Sequence, residues 1–295
     1  MDHKGFISGL PRDMRAALME RENAAGLCHL AGHVALVLVF GIWIAQGWFL
    51  WPLALVGQGI AICFLFTLEH EATHKTPFRS ERLNEWVGRI AGLLLILPFE
   101  WFRYFHLAHH RFTNIPGKDP ELLSGARPET CAAYVIHVSG LPFWASMIRQ
   151  VVGNAMGRDP GGYVPARAYR RVRREARVML VFYGLAGLGL LVTPLLFWVW
   201  LLPCLLGQPF LRLYLLAEHG RCAFVADMFE NTRTTYTNRI VRFLAWNMPY
   251  HVEHHALPQV PFHKLPVLHE QMREHLKVTA HGYGEFTADY ASHLR

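Results

Sequence analysis

Between Glu22 and Glu69, and again between Arg177 and Arg212, the chain carries no Asp, Glu, Lys or Arg. A soluble core helix rarely runs this far without a charge, whereas the hydrocarbon of a bilayer demands it. The first gap, Asn23 to Leu68, holds two spans of about 20 residues each. Its middle, Gln46-Gly-Trp-Phe-Leu-Trp-Pro52, reads as a turn with Trp48 and Trp51 at the interface. The second gap, Val178 to Leu211, breaks near Thr193-Pro194 into two shorter spans, the last continuing past Arg212 to His219. Composition agrees, since 52% of the 295 residues are hydrophobic and 17% charged, too apolar for an ordinary soluble domain.

The expected fold is therefore all-α and integral to the membrane, with four transmembrane helices as two hairpins, over 27–69 and 178–219, plus interfacial helices. One domain covers 1–295, with 1–26 a polar arm, 70–177 a central cytosolic and interfacial region and 220–295 a C-terminal helical cap. Lys and Arg gather in those three regions while both hairpin turns lack charge. The positive-inside rule then puts both termini in the cytosol, of a bacterial inner membrane or an ER-type membrane. The first apolar stretch is far longer than the core of a secretory signal. Five scattered cysteines without a CxxC pair (Cys28, Cys63, Cys131, Cys204, Cys222) read as packing residues or reduced thiols. The net charge of +7 and the Arg-dense stretch Arg167 to Arg177 suit anionic lipid headgroups, with an acidic electron-transfer protein as the sharper reading. Nucleic acid is not an expected partner.

Shorter signals fill the rest. An amphipathic helix starts near Pro11. Trp86 to Phe99 is apolar but short and contains Arg89, which predicts an interfacial or re-entrant segment. Tyr134 to Met156 should lie on the membrane surface, broken at Gly140-Leu-Pro142. Leu265, Leu268, Met272 and Leu276 form one helical stripe.

Eight histidines fall in three clusters: His70-Glu-Ala-Thr-His74, His106-Leu-Ala-His109-His110 and His251-Val-Glu-His254-His255. A ninth, in Glu218-His219, ends the last apolar run. Spacings of three and four put side chains on one helical face, so each cluster can aim its imidazoles at one point. Imidazole suits iron, zinc and copper, and nine nitrogen ligands exceed what one metal holds. Glu71, Glu218 and Glu253 lie beside ligand histidines rather than at a Glu-x-x-His repeat of their own. They are expected to accept the free ring N–H of a neighbouring ligand. All clusters fall on the cytosolic side of the expected topology. His29 and His33 lie within the first span as packing residues, and His263, His269 and His281 lie outside the clusters. Taken alone, His70-Glu71-Ala-Thr-His74 also fits a zinc metalloprotease, with Glu71 as general base, but that leaves the other clusters idle.

The three clusters, their order and their placement after paired spans resemble the integral-membrane fatty acid desaturase family. The likeness extends to His109-His-Arg-Phe-Thr-Asn114 with Asp119-Pro-Glu121, to Ala217-Glu-His219, and to Asn247 ahead of His251-Val-Glu-His254-His255 with Pro258 and Pro261 beyond. That resemblance implies two non-haem iron ions, O2 as co-substrate, and attack on an unactivated C–H pair of a membrane-soluble substrate such as a fatty acyl chain. Its iron ligands would be His70, His74, His106, His109, His110, His219, His251, His254 and His255, with Asn247 where some members hold a metal-bound water. The same superfamily contains hydroxylases and ketolases of hydrocarbons and carotenoids, so those activities stand as the alternative. The first cluster has three residues between its histidines where many acyl-CoA desaturases have four. The resemblance further implies an external electron donor of ferredoxin, rubredoxin or cytochrome b5 type with its reductase, because no haem- or flavin-binding segment is evident in the chain.

Overall fold

Residues 1–159 and 161–295 are described in a computed structural model of the chain. The polar arm forms two short helices, α1 (His3–Gly9) and α2 (Arg12–Met19). The first charge-free gap then makes α3 (Asn23–Ala45), a turn through Gln46 to Leu50, and α4 (Trp51–Cys63) running nearly straight on into α5 (Leu65–His74). Leu38, Val39 and Ile42 on α3 and Phe49 in the turn face outward, the exposure expected of a lipid-facing surface. Lys75, in the left-handed region, stops α5 immediately after the second histidine of its cluster.

Among the described residues, three stretches are long and apolar enough to cross a bilayer: Asn23–Ala45, Trp51–His74 and Phe197–His219. The last is a widened π turn, Phe197–Leu201, continuing into α12 (Leu202–His219). The start of the second gap, expected as a further span, lies in the apolar half of α11 (Tyr169–Leu190), which is not among those three stretches and whose first turns carry Arg170, Arg171, Arg173, Arg174 and Arg177. Absence of charge marked where the apolar part lies, not where the helix begins. Val178, Val181, Leu185 and Leu188 on that half are exposed.

Two further helix pairs are bent. α6 (Glu81–Leu95) and α7 (Phe99–Phe112) meet at 99°, and α9 (Cys131–Val138) and α10 (Leu141–Met156) at 55°, so neither pair crosses as a straight rod. The first bend falls at Leu97-Pro98, where proline disfavours helix in the residue before it. It is held by Arg89, which reaches Glu100 at 3.2 Å and Glu175 of α11 at 3.4 Å. The second bend is at Gly140, with φ +71°, where a Cβ would sit 2.2 Å from Gln208 Cγ; only glycine fits both the angle and the space. α4 and α12 cross at Gly59 and Gly207, backbone against backbone, since a Cβ on Gly59 would lie 2.1 Å from the Pro203 carbonyl oxygen. Small residues at such a crossing permit the close approach that helix association in lipid relies on.

The C-terminal region is a set of short helices folded over the ends of α5 and α12. These are α13 (Met228–Asn231), α14 (Arg239–Leu244), α15 (His251–Ala256), α16 (Leu265–Met272) and α17 (Tyr283–Ser292), and α8 (Pro120–Ser124) joins them from the central region. The only strands among the described residues are β1 (Thr234–Thr235) and β2 (Thr279–Ala280), paired in parallel. Leu265, Leu268 and Met272 of the predicted stripe are fully buried. The turn into α15 places Trp246 and Asn247 at φ 49° and 57°, a conformation that costs of order 1–3 kcal/mol per residue. Trp246 is held there by complete burial and by donating its indole N–H to His33 Nδ1 at 3.1 Å. His33 Nε2 in turn lies 2.7 Å from the Ala61 carbonyl, so this buried ring ties the first hairpin to the turn before the third cluster.

Candidate metal centre

All nine histidines of the sequence reading come together where α5, α7, α12 and α15 meet. They form two groups rather than three. His70, His74, His106, His110 and His254 offer ligand nitrogens within 4.8 Å of one another, as do His109, His219 and His255. The expectation that each cluster aims at one point holds for α5 alone. Successive residues on a helix are about 100° apart, so in His-x-x-His-His the first and last rings share a direction while the middle one leans the other way. On α7 the pair His106 and His110 serves the larger group and His109 the smaller. On α15 it is the middle ring, His254, that serves the larger group, with His255 in the smaller. His251, outside both tight sets, has its Nε2 3.2 Å from His219 Nε2.

The nitrogens converge closely. His74 Nε2 and His106 Nε2 are 2.8 Å apart, and His109 Nε2 and His219 Nε2 3.2 Å. His110 and His255 stack at 4.0 Å between ring centroids, so the two groups share a wall. His70, His110 and His254 have both ring nitrogens buried without a hydrogen-bond partner among the described residues, and His255 has its Nε2 so. Buried polar atoms are ordinarily paired. A converging set of unpaired imidazole nitrogens is the donor set a transition metal accepts, and the residues present fit a pair of such ions.

Burial, and then the neighbouring histidines, hold His251, His254 and His255 well below the ordinary imidazole pKa, which keeps them in the neutral form that ligates. His109 differs. Burial would lower it, but Glu121 and Asp119 outweigh that and raise it. Asp119 Oδ1 accepts the His109 Nδ1–H at 2.9 Å, leaving Nε2 free to face inward. The buried Asp119 also caps α8 and accepts the Asn114 N–H at 2.8 Å. Thr113 Oγ1 donates to the His109 carbonyl at 2.8 Å and lies 3.1 Å from His255 Nδ1, which is therefore placed to donate to it. His219 Nδ1 lies 3.2 Å from the Asn231 carbonyl.

Of the expected supporting carboxylates, Glu218 lies 3.4 Å from His251 Nδ1 and Glu71 3.4 Å from His254 Nδ1. The other Glu71 oxygen accepts Thr76 Oγ1–H and Phe262 N–H, so Glu71 is a fixed strut. Glu253 and Asn247 depart from expectation. Glu253 follows His251 by two residues and so points away from it; it is fully buried against His269 Nδ1 and Thr234 Oγ1. Asn247 donates its amide to the Phe262 carbonyl at 3.1 Å and, among the described residues, makes no hydrogen bond to a cluster histidine. His269, set aside in the sequence as lying outside the clusters, is buried and anchors α15 through Glu253. Asp119, Thr113, Asn231 and His269 carried no signal of their role, although Thr113 and Asp119 stood in recognised runs, His109-His-Arg-Phe-Thr-Asn114 and Asp119-Pro-Glu121.

The profile of the family described as fatty acid desaturase matches residues 46–287. Over 248 residues the chain is 24% identical to the chloroplastic omega-6 fatty acid desaturase of Arabidopsis thaliana, which covers 77% of this chain and 54% of that one. It is 40% identical over 74 residues to the sn-1 oleoyl-lipid 12-desaturase of Arthrospira platensis (25% of this chain, 21% of that one). The Synechocystis sp. protein of the same name is 23% identical over 254 residues, with shares of 77% and 69%. The chain spans about half the length of the chloroplastic relatives it matches.

Proposed function

This chain belongs to the fatty acid desaturase family, and from that premise we propose that it is an O2-dependent membrane oxidoreductase that introduces a double bond into the acyl chain of a lipid. The observation that carries this reading is the convergence of nine histidines, seven of them buried and His74 and His110 half-buried, into two adjoining groups. As ligands of two iron ions they would be His70, His74, His106, His110 and His254 on one side and His109, His219, His251 and His255 on the other. Bound iron would supply O2 activation and hydrogen abstraction from an unactivated carbon.

The chain's own residues do the rest. Asp119, Thr113 and the Asn231 carbonyl fix which nitrogen of each ring faces inward, and Glu71 and Glu218 orient His254 and His251. Burial of seven of the nine histidines, with His74 and His110 half-buried, limits the water that would quench a strong oxidant. Two hydrogens leave the substrate with two electrons. An external donor of ferredoxin, rubredoxin or cytochrome b5 type, with its reductase, supplies two more electrons together with two protons from solvent, and O2 leaves as two waters. Four crossings, the fourth contributed by the apolar half of α11, would leave the histidines, α15 and both termini on the cytosolic side.

The test is mass spectrometry of lipids from cells with and without the protein, alongside iron analysis of the purified chain. Desaturation predicts lipids that have lost two hydrogens and iron near two per chain. A product that has gained one oxygen atom would move the protein to the hydroxylases and ketolases, the alternative that the same histidine arrangement supports. One zinc with peptide cleavage would overturn both. Cysteine labelling from outside at Gly47 and Thr193, and not at Thr113 or Thr279, is the expected topology result.

A further inference from the structure

Arg212 is an arginine inside an apolar crossing, on α12, seven residues ahead of His219. Seven residues fall about 20° short of two full turns, so Arg212 and His219 share a face, about 10 Å apart along the axis. Its guanidinium lies over the Phe143 ring at 4.3 Å, and its Nε and Nη2 are buried with no acceptor among the described residues. One turn earlier, Gln208 is completely buried with both amide atoms unpaired, and Trp144 Nε1, at the start of α10, is unpaired as well. Gln208 packs against the backbone at the Gly140 bend and Arg212 over the ring of Phe143, the residue before Trp144, so all three lie where α12 passes the start of α10.

Donors dominate this set. Arg212 Nε and Nη2, Gln208 Nε2 and Trp144 Nε1 all carry N–H groups, and Gln208 Oε1 is the one acceptor. A half-buried guanidinium within a span whose Nε and Nη2 have no hydrogen-bond acceptor is costly in lipid and marks a functional position by default, and the carboxylates that act on it, Glu218 and Glu121, are not hydrogen-bonded to it. The ligand that satisfies this set is rich in acceptors and negatively charged, and a planar guanidinium matches carboxylate and phosphate oxygens.

We propose that Gln208, Arg212 and Trp144 recognise the oxyanion head, carboxylate or phosphate, of an acyl-chain amphiphile whose tail runs along α12 toward His219. The identity of the tail rests on the reading of the chain as an acyl desaturase; recognition of the head rests on the unpaired donors alone.

Native mass spectrometry of the full chain in neutral detergent tests it with three probes: oleate, methyl oleate and oleoyl-lysophosphatidylglycerol. The wild type should retain at least one of the two anions and not the methyl ester, and the better-held anion identifies the head as carboxylate or phosphate. Arg212→Gln should weaken that retention by roughly tenfold or more. Equal retention of methyl oleate and both anions, or an unchanged anion in the variant, would overturn the proposal. Ligand-free Arg212→Gln should unfold no earlier than wild type, since it removes buried donors that have no acceptor; earlier unfolding would mean a structural cation and also overturn it. Gln208→Leu, which keeps the charge, should weaken retention less than Arg212→Gln. Anion-selective binding without any desaturated product would sink the desaturase reading and leave this one standing, and product without selectivity would do the reverse.

Discussion

Behind the smaller histidine group three of the four rings have a hydrogen-bond partner on the outer nitrogen, Asp119 for His109, Thr113 for His255 and the Asn231 carbonyl for His219, and Glu218 lies 3.4 Å from His251 Nδ1 without a hydrogen bond. Behind the larger group His70, His110 and His254 bury both nitrogens without a hydrogen bond among the described residues, the nearest carboxylate being Glu71, 3.4 Å from His254 Nδ1. The smaller group is thus oriented by hydrogen bonds, and the larger by helix geometry and close packing of rings. Outer partners set tautomer and ring direction before a metal arrives, so the two groups should differ in how they take up metal and how they lose it.

The largest effect should come from the residue that erases the difference. His255 belongs to the smaller group yet stacks on His110 of the larger, so His255→Ala removes a ligand from one and a wall from the other. Turnover should fall below detection, and metal content should drop by more than one equivalent per chain. Loss of a single equivalent, with the other fully retained, would show that the shared wall is unimportant.

Asp119→Asn separates the groups. It leaves every ligand in place and removes the carboxylate that holds His109 Nδ1–H, so affinity at the smaller group should weaken roughly 10- to 100-fold. Glu71→Gln, at the longer contact, should change the larger group less. Competition with a chelator, read as metal retained per chain, measures both; equal losses would mean that these outer contacts do not account for the asymmetry.

A third change should strike both groups alike. α15 supplies His251 and His255 to one and His254 to the other, and it is anchored by the buried contact of Glu253 with His269. His269→Ala strands a buried acceptor, at a cost of about 1–3 kcal/mol, and should lower the unfolding midpoint and loosen both metals together. Selective loss from one group would show that α15 is not a common strut.

The asymmetry was only half legible in the sequence. His-x-x-His-His contains the fork, because the middle ring lies about 60° to one side of the first and the last about 40° to the other, roughly 100° apart, yet spacing does not say which ring turns to which group. In the fold His109 and His255 turn toward His219 of α12, and His254 toward the other group. The partners were less legible still. Asp119 is ten residues from His109 and caps a different helix, and Asn231 contributes a backbone carbonyl, which no side-chain pattern announces. Glu253 misled for a simple reason: a carboxylate between two ligands on a helix points away from both, and its true partner, His269, sits on a stripe that reads as packing. The spans, by contrast, were legible wherever absence of charge coincided with a helix, as in Asn23–Ala45, and not where α11 carries its arginines into the same helix.

The smallest effect, and the one that resolves the groups most finely, is on pH. A metal needs neutral imidazole, so protons compete for each ring near its own pKa. Burial and neighbouring rings hold His254 well below the ordinary value of about 6.5, whereas Glu121 and Asp119 raise His109 above it. The smaller group should therefore release its metal first as the pH falls from neutral, with the larger group following only in stronger acid. Stability of the metal-free chain follows the same signs. For His251, His254 and His255, depressed on folding, the unfolded chain binds more protons, so their contribution is present above about 6.5 and fades as the pH drops. For His109, raised on folding, the contribution is complete below about 6.5 and fades as the pH climbs through its folded value. Metal retained after exchange into buffers of descending pH should fall in two steps, and Asp119→Asn should move the first step to lower pH by removing the carboxylate that stabilises the proton on His109, even as it weakens binding at neutral pH. A single step, or a first step that Asp119→Asn leaves in place, would mean that the polar partners orient the rings without setting their competition with protons.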